Sequence, residues 1–349
     1  MITTIERGGA EKQLLLLARS QRESNNEVTV VFLKGNPDLK SEFESYGVTV
    51  DATLSSVSWI RKYRLLCSYN FKDFDIFHAH LPISEILSSL TLSKNKLVVT
   101  RHNTEQLVRG KLKYFSQFLA ILVETRAAAC IAISNTVRDF MITEKEWRNP
   151  ATISTIYYGY DKMLSSTPLN SSSQTNFLCI SRLTPQKDIT TLLKAFRIHL
   201  NTFSEDSLTI IGAGSEENRL REQIAQSDFK GKVRLSPKTE NVSFAISSSD
   251  VFVLTSRYEG FGLVLLESMA IGRPILAAAN SAVTEVMGFQ FPGLFPVGDY
   301  ILLANKMKQA RDKVYQQDLV RYQNLNLNRF KMETVLRETQ SIYERLIFQ

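Results

Sequence analysis

Short apolar runs alternate with helix-length segments along almost the whole chain. The runs rich in β-branched and aromatic residues are 27–33, 47–50, 75–80, 97–101, 129–134, 152–157, 176–180, 207–211, 232–235, 251–254 and 274–277. Parallel strands are usually joined by a helix that carries the chain back to the same end of the sheet. The pattern therefore predicts an α/β protein that is built from βαβ units with parallel sheets.

A polar, serine-rich stretch at 165–175 divides these runs into two groups and has the composition of a linker. We predict an N-terminal domain over 1–165, a C-terminal domain over 166–329 and a final helical segment over 330–349. Apolar residues at helical spacing, which predict helices at the end of the chain, cover 299–316, 317–329 and 333–348.

Composition narrows the class of protein. Hydrophobic residues make up 44% and charged residues 22%, which is typical of a soluble globular protein. No apolar run approaches the roughly 20 residues that span a bilayer, and the first residues lack the pattern of a signal peptide. The net charge of +7 suits a nucleotide, a lipid phosphate or a membrane surface, or is simply a solvated surface. We expect no nucleic-acid partner.

Three cysteines, Cys67, Cys130 and Cys179, lie far apart in the sequence. An odd, scattered set argues against a disulfide framework and against a zinc site. We expect buried core thiols in a reducing cytoplasm.

The segment 256–274 carries the most informative chemistry. A helix is predicted from about Leu263 to Ile271, with glycines at 260 and 262 before it. Glu259 precedes this helix, and Glu267 lies about one turn inside it. Such glycines let backbone N–H groups approach a ligand, and a helix N-terminus favours an anion. Glu259 would face a polyhydroxyl group, and Glu267 would reach a second diol such as a ribose. The alternative is a structural turn with a solvated glutamate.

Two cations follow the first strand of the second half. Arg182 and Lys187 are separated by a turn that contains Pro185. A guanidinium fork and an ammonium group together suit a diphosphate, on which charge builds as it leaves. Two exposed surface bases are the alternative.

The first half offers a glycine turn and a pair of histidines. Gly8 and Gly9 open an amphipathic helix after a strand that has only residues 1–5 available, and their amides could approach a phosphate or a sugar. His80 and His102 follow two strands, at the edge where open α/β sheets bind ligands. Plain structural roles are the alternative for both features.

Two other patterns are not assigned to ligands. Asp73 and Asp75 form a D-x-D sequence, but they precede an apolar strand, where Asp75 marks the strand entry. Gly212 and Gly214 resemble the start of a dinucleotide fingerprint, yet Arg219 stands near the position of the third glycine.

Taken together, these segments resemble the family 4 retaining glycosyltransferases, which have the GT-B fold. The glutamate pair with its Gly-Phe-Gly segment is the most specific match. The resemblance covers nearly the whole chain, through residues 8–11, 75–80, 133–138, 158–161, 181–187, 208–214, 249–254, 259–267 and 293–299.

The resemblance implies two Rossmann-like domains that face a cleft, with the last helix crossing back to the first domain. It implies a retaining, metal-independent hexosyltransferase that uses a nucleotide-diphosphate sugar, with UDP or GDP as the nucleotide and no other cofactor. The departing diphosphate would help to deprotonate the acceptor on the same face. The acceptor would be a lipid-linked or growing cell-envelope glycan.

We therefore predict three groups of site residues. Catalytic roles fall on Arg182, Lys187, Glu259 and His102; donor-binding roles on Gly8, Gly9, Phe261, Gly262, Leu263 and Glu267; and acceptor-side roles on His80 and Asn103.

The sequence departs from the family pattern in the second half. Residues 280–284 replace a glycine pair that often borders the donor, and Ser236-Pro237 replaces a glycine near the base. Asp188 replaces the glycine that usually follows the lysine. Donor sugar and base therefore stay open.

Basic and aromatic residues are mixed at 61–64 and 109–118. Such segments can lie on an anionic membrane, or they can be ordinary amphipathic helices packed on the core. A peripheral position on the cytoplasmic membrane face would give access to a lipid-linked acceptor.

Two other functions fit the same residues. A sugar-nucleotide epimerase would act without an acceptor, and a non-catalytic nucleotide-sugar-binding protein would show no turnover. The intact Arg182, Lys187 and Glu259 argue against lost chemistry.

Overall fold

The computed structural model describes residues 1–68, 73–92, 96–107, 113–160, 174–226, 229 and 231–348. The chain divides into two compact units. Unit 1 comprises Met1–Asp161 and Phe330–Gln349, and unit 2 comprises Lys162–Arg329. The linker predicted at 165–175 lies almost entirely outside the described residues. Within the described part of the chain, no helix is long and apolar enough to cross a membrane.

Strands and helices alternate through both units. The strands of unit 1 are β1 (Thr29–Val31), β2 (Thr49–Asp51), β3 (Phe77–His80), β4 (Leu97–Arg101), β5 (Ala129–Ala132) and β6 (Ile153–Thr155). Those of unit 2 are β7 (Asn176–Ile180), β8 (Ser207–Ile211), β9 (Val233–Ser236), β10 (Val251–Leu254), β11 (Ile275–Ala278) and β12 (Leu294–Phe295).

The helices connect these strands and end the chain. They are α1 (Gly9–Glu23), α2 (Lys40–Ser45), α3 (Trp59–Ser68), α4 (Pro82–Thr91), α5 (Lys113–Arg126), α6 (Asn135–Thr143), α7 (Ile189–Leu200), α8 (Glu217–Gln226), α9 (Val242–Ser247), α10 (Leu263–Ile271), α11 (Ser281–Met287), α12 (Tyr300–Gln309), α13 (Lys313–Leu327) and α14 (Met332–Ile347).

Parallel pairing confirms the predicted α/β class. In the described part of unit 1, β3, β4, β5 and β6 form one sheet in that order, and β1 pairs with β2. Ile2 forms parallel bridges to Phe32 and to His80, so the predicted first strand is reduced to a link between the two sheets. In unit 2 the strand order is β12-β11-β10-β7-β8-β9, which places β7 and β10 side by side.

The predicted strands match observed ones closely, and four have the predicted bounds. The short β12 was not predicted, because two residues are too few to show the apolar pattern of a strand. The predicted division of the terminal helices at 316 is wrong. The break lies at 310–312, where the Asp312 side chain accepts a hydrogen bond from the Val314 amide and begins α13.

Cysteine burial agrees with prediction for two residues. Cys130 and Cys179 are buried, but Cys67 is exposed. The α3 helix turns Lys62 and Leu66 inward, and Cys67 lies outside that buried face.

The last helix, α14, packs within unit 1. Its Met332, Val335 and Ile342 share a hydrophobic cluster with strand residues such as Val98 and Ile131. This cluster explains why residues 330–349 belong to the first unit although they are last in sequence.

A glycine permits the close approach of α14. The Gln13 side chain donates to the Gly159 carbonyl and accepts from its amide, both at 2.9 Å. A Cβ atom at Gly159 would lie 2.8 Å from Met332 Sδ and 3.0 Å from Met332 Cα. The φ angle of Gly159 is not positive, so the requirement for glycine is steric.

We predict that Gly159→Ala destabilises unit 1 by about 1–3 kcal/mol, because the added methyl group overpacks the contact with α14. Thermal unfolding followed by circular dichroism should show a melting temperature lower by a few degrees. The exposed helix substitution Gln309→Ala is the control and should change little. Equal melting temperatures for Gly159→Ala and wild type would contradict the steric account.

Candidate functional site

The turn that carries the predicted cations in unit 2 is held by two glycines. A Cβ atom at Gly212 would lie 1.9 Å from the Ser181 carbonyl oxygen, and one at Gly214 would lie 2.3 Å from that of Leu183. The Leu183 amide donates to the Ala213 carbonyl at 2.9 Å. These glycines therefore let the loop after β8 lie directly against the turn after β7.

Lys187 and Glu259 meet at the ends of two neighbouring strands. Lys187 Nζ lies 2.5 Å from Glu259 Oε1, and the two side chains are 11% and 9% exposed. The Thr255 hydroxyl donates to the Lys187 carbonyl at 2.9 Å. Because β7 and β10 are adjacent and parallel, residues separated by 72 positions lie at one sheet edge.

Arg182 is tied to the same loop through a residue that the sequence did not single out. Arg182 donates to Gln186 Oε1 at 3.2 Å, and Gln186 Nε2 donates to the Tyr258 carbonyl at 2.8 Å. The Gln186 carbonyl also accepts from the Arg257 amide at 2.8 Å. No sequence pattern could identify Gln186, because its role depends on the loop that contains Arg257 and Tyr258.

Gly262 begins α10 in a left-handed conformation, with φ of +88°. This conformation requires glycine, because a Cβ atom strains that region of backbone. Phe261 is buried, Leu263 is the first helical residue and Glu267 lies one turn further, partly exposed. The helix start predicted at Leu263 is confirmed.

Two departures from the family pattern have structural consequences. Asn280 begins α11, with its side chain accepting from the Val283 amide at 3.1 Å and donating to the Ser256 carbonyl at 2.9 Å. Asp188 adopts a left-handed conformation with φ of +47°, and Arg257 Nε lies 3.2 Å from its Oδ2. Both residues thus fix the loops around the cations.

The predicted histidines of unit 1 form a chain of hydrogen bonds. His80 Nδ1 lies 3.1 Å from His102 Nε2, and His102 Nδ1 lies 2.7 Å from the Tyr158 hydroxyl. His80 is buried, and its Nε2 has no hydrogen-bond partner among the described residues. The buried Oδ1 of Asn103 also has none there.

Burial keeps these histidines neutral. Desolvation, followed by the positive charge of Arg101, lowers the pKa of His102 to about 3. Desolvation also lowers the pKa of His80 well below its ordinary value. Neutral imidazoles can exchange hydrogen bonds with hydroxyl groups, but they add no charge opposite a phosphate.

The glycine turn of unit 1 lies under a carboxylate. A Cβ atom at Gly8 would lie 2.3 Å from Glu11 Oε2, and the Thr4 hydroxyl donates to Glu11 Oε1 at 2.6 Å. Gly9 is exposed as the first residue of α1. Burial raises the pKa of Glu11. Any ligand at Gly8 therefore meets the Glu11 side chain.

A buried charge cluster that the sequence did not reveal supports the His102 loop. Arg101 is fully buried and forms ion pairs with Glu85 of α4, at 3.3 Å, and with Glu146. Glu146 also accepts from the Leu107 amide at 3.2 Å. Burial, opposed by Arg101 and reinforced by Glu146, raises the pKa of Glu85 to about 7.

The D-x-D residues precede β3, where Asp73 and Asp75 are exposed. Over the ranges that the structure describes, no three His, Cys, Asp or Glu side chains are grouped so that they could hold a metal ion.

Comparison with known proteins identifies the class. The model for Glycosyl transferases group 1 matches residues 166–316, and the model for Glycosyltransferase Family 4 matches residues 7–162. Together with the parallel α/β units and the strand-end cations, these matches define a GT-B glycosyltransferase that uses nucleotide sugars. The chain belongs to glycosyltransferase family 4.

Three relatives illustrate the range of similarity. An uncharacterized glycosyltransferase of Haemophilus influenzae is 32% identical over 115 residues, 33% of each chain. The phosphatidyl-myo-inositol mannosyltransferase of Mycolicibacterium smegmatis is 26% identical, over 90% of this chain and 83% of that protein. Anabaena HepE, solved with UDP-glucose, is 19% identical with a TM-score of 0.81, covering 100% of this chain and 98% of its own.

The raised pKa of Glu85 gives a prediction about stability and pH. The folded-state pKa of about 7 exceeds the ordinary value of 4.5, so the folded state holds a proton that the unfolded state has lost. The ionisation of Glu85 therefore reduces the free energy of unfolding as the pH rises from about 4.5 to 7, by on the order of 3 kcal/mol. Glu85→Gln removes the titration. Its melting temperature minus that of wild type should rise between pH 5 and pH 8.

Glu23→Gln, which removes an exposed carboxylate of α1, is the control for this experiment and should leave the pH dependence of the melting temperature as in wild type. If the melting temperatures of wild type and Glu85→Gln change with pH by the same amount between pH 5 and pH 8, the raised pKa of Glu85 is contradicted.

Proposed function

We propose that the protein is a retaining, metal-independent glycosyltransferase that moves a hexose from a nucleotide-diphosphate sugar to a hydroxyl acceptor. The observation that carries this proposal is the contact of Lys187 with Glu259 beside Arg182, at the strand ends of unit 2. Two cations suit a diphosphate, and a carboxylate suits sugar hydroxyls.

The reaction follows from these charges. The bond between the sugar C1 and the diphosphate oxygen breaks, and Arg182 and Lys187 stabilise the charge that develops on the diphosphate. The acceptor oxygen forms a bond to C1 on the same face, and its proton passes to a diphosphate oxygen. Glu259 orients Lys187 and holds a sugar hydroxyl. The protein needs no nucleophile of its own, and the two cations take the place of a metal ion.

The donor contacts of unit 2 continue into α10. The backbone of Phe261, Gly262 and Leu263 would bind sugar hydroxyls or phosphate, because a helix N-terminus turns its N–H groups outward. Glu267, one turn further, would bind the ribose diol. We propose a UDP-sugar as the first donor to test, since Anabaena HepE was solved with UDP-glucose, and a GDP-sugar as the second.

Unit 1 supplies neutral groups. We assign His102 to a sugar hydroxyl, and His80 and Asn103 to the acceptor side. His80 Nε2 and Asn103 Oδ1 lack hydrogen-bond partners among the described residues, which favours a hydroxyl ligand there. We assign the Gly8 and Gly9 backbone to donor contact. This would require Glu11 to release its position over Gly8.

An exposed aromatic surface of unit 1 supports a lipid-linked acceptor in cell-envelope glycan synthesis. On α5, Tyr114, Phe115 and Phe118 are 87%, 50% and 63% exposed. Residues 109–112 of this predicted membrane segment lie outside the described residues. The M. smegmatis relative is named for phosphatidyl-myo-inositol, which is a lipid acceptor.

The sequence left open whether residues 61–64 pack on the core or lie on a membrane. The α3 helix has one face suited to each role. Lys62 is buried and donates to the Leu33 carbonyl at 2.7 Å, so one face packs on the core. Trp59, Ile60 and Tyr63 are exposed, together with basic residues at 61 and 64. We propose that the exposed faces of α3 and α5 hold a cytoplasmic protein on the anionic membrane surface.

Substitutions in unit 2 test the proposed chemistry. We expect Lys187→Met and Glu259→Gln to lower turnover about 100-fold or more, because each removes stabilisation made at the reacting centre. Glu267→Gln should have a smaller effect, mainly on the donor KM. Release of nucleoside diphosphate from a panel of UDP- and GDP-sugars measures these rates, with and without acceptor.

Arg197→Met, which removes an exposed charge on α7, is the matched control. Wild-type rates in all three site variants would refute the site. A new sugar nucleotide formed without acceptor would indicate an epimerase, and nuclear magnetic resonance of the product would establish whether the anomeric configuration is retained.

Vesicle sedimentation tests the membrane proposal. Wild type should bind anionic vesicles at low salt and dissociate as salt screens the charges. The triple variant Tyr114→Ser, Phe115→Ser and Phe118→Ser should bind about 10-fold more weakly. Phe289→Ser, which removes an equally exposed ring from unit 2, should bind as wild type does. Absent binding by wild type, or undiminished binding by the triple variant, would refute the proposal.

A further inference from the structure

A pocket separate from the proposed donor site lies in unit 2, beside residues 182–187, the proposed catalytic turn. Its volume is about 630 Å³, within the range of small-molecule sites. The first turn of α7 forms one wall, and the loop residues Arg257 and Tyr258 form another. Glu216 and Tyr300, at the starts of α8 and α12, complete it. Among the described residues, Arg182, Lys187 and Glu259 are not part of this lining.

The wall of this pocket is made of paired charges. Arg257 Nε lies 3.2 Å from Asp188 Oδ2, and Arg219 Nε donates to Glu216 Oε2 at 2.8 Å. Arg219 also donates to the Thr190 hydroxyl at 3.1 Å. Each carboxylate is thus placed beside a guanidinium group, so the wall offers hydrogen-bond donors and acceptors side by side.

Two tyrosine rings add apolar surface to the lining of this pocket. Tyr258 is 49% exposed, and the Lys194 ammonium lies 5.4 Å from the centre of the Tyr300 ring. Both tyrosines line the pocket. An aromatic face offers apolar area at low cost in side-chain entropy, next to a polar hydroxyl group.

Asp188 is the residue that points to a ligand. It is 7% exposed, lines the pocket and holds a carboxylate in the left-handed region at φ of +47°. Its Oδ2 makes no hydrogen bond within the described part of the chain, and its ionic partner Arg257 has a side chain that is 62% exposed. Glycine would adopt this backbone without strain. Aspartate also tolerates this region, so the evidence for a ligand is the buried carboxylate oxygen that lacks a hydrogen bond among the described residues.

We propose that this pocket binds one sugar residue of a glycan, as an accessory site separate from the donor site. Every sugar hydroxyl donates and accepts, so it can bridge a carboxylate and a guanidinium group. The apolar face of the ring can lie on Tyr258 or Tyr300. The lining carries two carboxylates and three basic side chains, and each carboxylate lies beside a guanidinium group. This nearly balanced charge suits a neutral polyhydroxyl ligand better than a polyanion such as a nucleoside diphosphate.

The pocket is also coupled to the catalytic turn. Gln186 lines it, and the same side chain contacts Arg182 and the Tyr258 carbonyl. A sugar bound here would lie against the turn that carries the cations. The site would therefore hold an extended glycan while its end reacts. Binding itself does not depend on the proposed transfer reaction.

The test measures binding directly. Saturation-transfer nuclear magnetic resonance on the full chain uses the methyl glycosides of glucose, galactose, mannose and N-acetylglucosamine, with inorganic phosphate as a competitor. At least one glycoside should bind wild type. Asp188→Asn and Tyr258→Ala should each weaken this binding 10-fold or more. Asp188→Asn keeps the shape of the side chain but removes its charge. Asp188→Gly removes the side chain while suiting the left-handed backbone, so loss of glycoside binding in this variant as well would not be due to backbone strain.

The donor-site variant Glu259→Gln separates the two sites. It should bind the glycoside as wild type does, whether or not it retains turnover. The proposal is wrong if no glycoside binds, if the signal survives Asp188→Asn and Tyr258→Ala but disappears in Glu259→Gln, or if millimolar phosphate displaces the glycoside. Binding in the absence of any turnover would support the accessory site while contradicting the transferase proposal.

Discussion

The contact between Lys187 and Glu259 is the interaction on which the proposed chemistry of unit 2 depends. It exists because β7 and β10 are parallel neighbours, so the loops that follow them leave the sheet at one edge. Hydrogen bonds from Thr255 and Gln186 join the same two loops. A lysine in contact with a carboxylate is fixed in position, which prepares it for an anionic ligand with little reorganisation. Without the pairing of these strands, the two residues would be ordinary surface charges.

Unit 1 provides a different electrostatic environment. Its histidines are buried and neutral, and Arg101 beside them is enclosed by Glu85 and Glu146. The positive charge of Arg101 is therefore compensated inside the unit. Neutral groups that donate and accept suit hydroxyl ligands, whereas the cations of unit 2 suit phosphates. Under the proposed function, unit 2 would bind the charged donor and unit 1 would contact hydroxyl groups.

Glycines and one aspartate set the detailed shape of these sites. Gly212 and Gly214 are required by distance, because their neighbours are backbone atoms that cannot move aside. Gly262 is required by its positive φ angle, which begins α10 beside Glu259. Asp188 also has a positive φ angle but carries a side chain, which gives the pocket of the proposed accessory site a buried carboxylate.

The sequence by itself determined the α/β class, nearly every strand and the start of α10, because apolar periodicity and glycine placement are local signals. It also singled out Arg182, Lys187 and Glu259, since their residue types suit a sugar diphosphate. Only the tertiary structure decided that Lys187 contacts Glu259, that Gln186 joins Arg182 to the next loop, and that Glu85 and Glu146 enclose Arg101. These contacts join residues that are far apart in sequence or that lie on a turn whose partner comes from another strand. No local pattern records them, because strand order and burial create them only when the sheet forms.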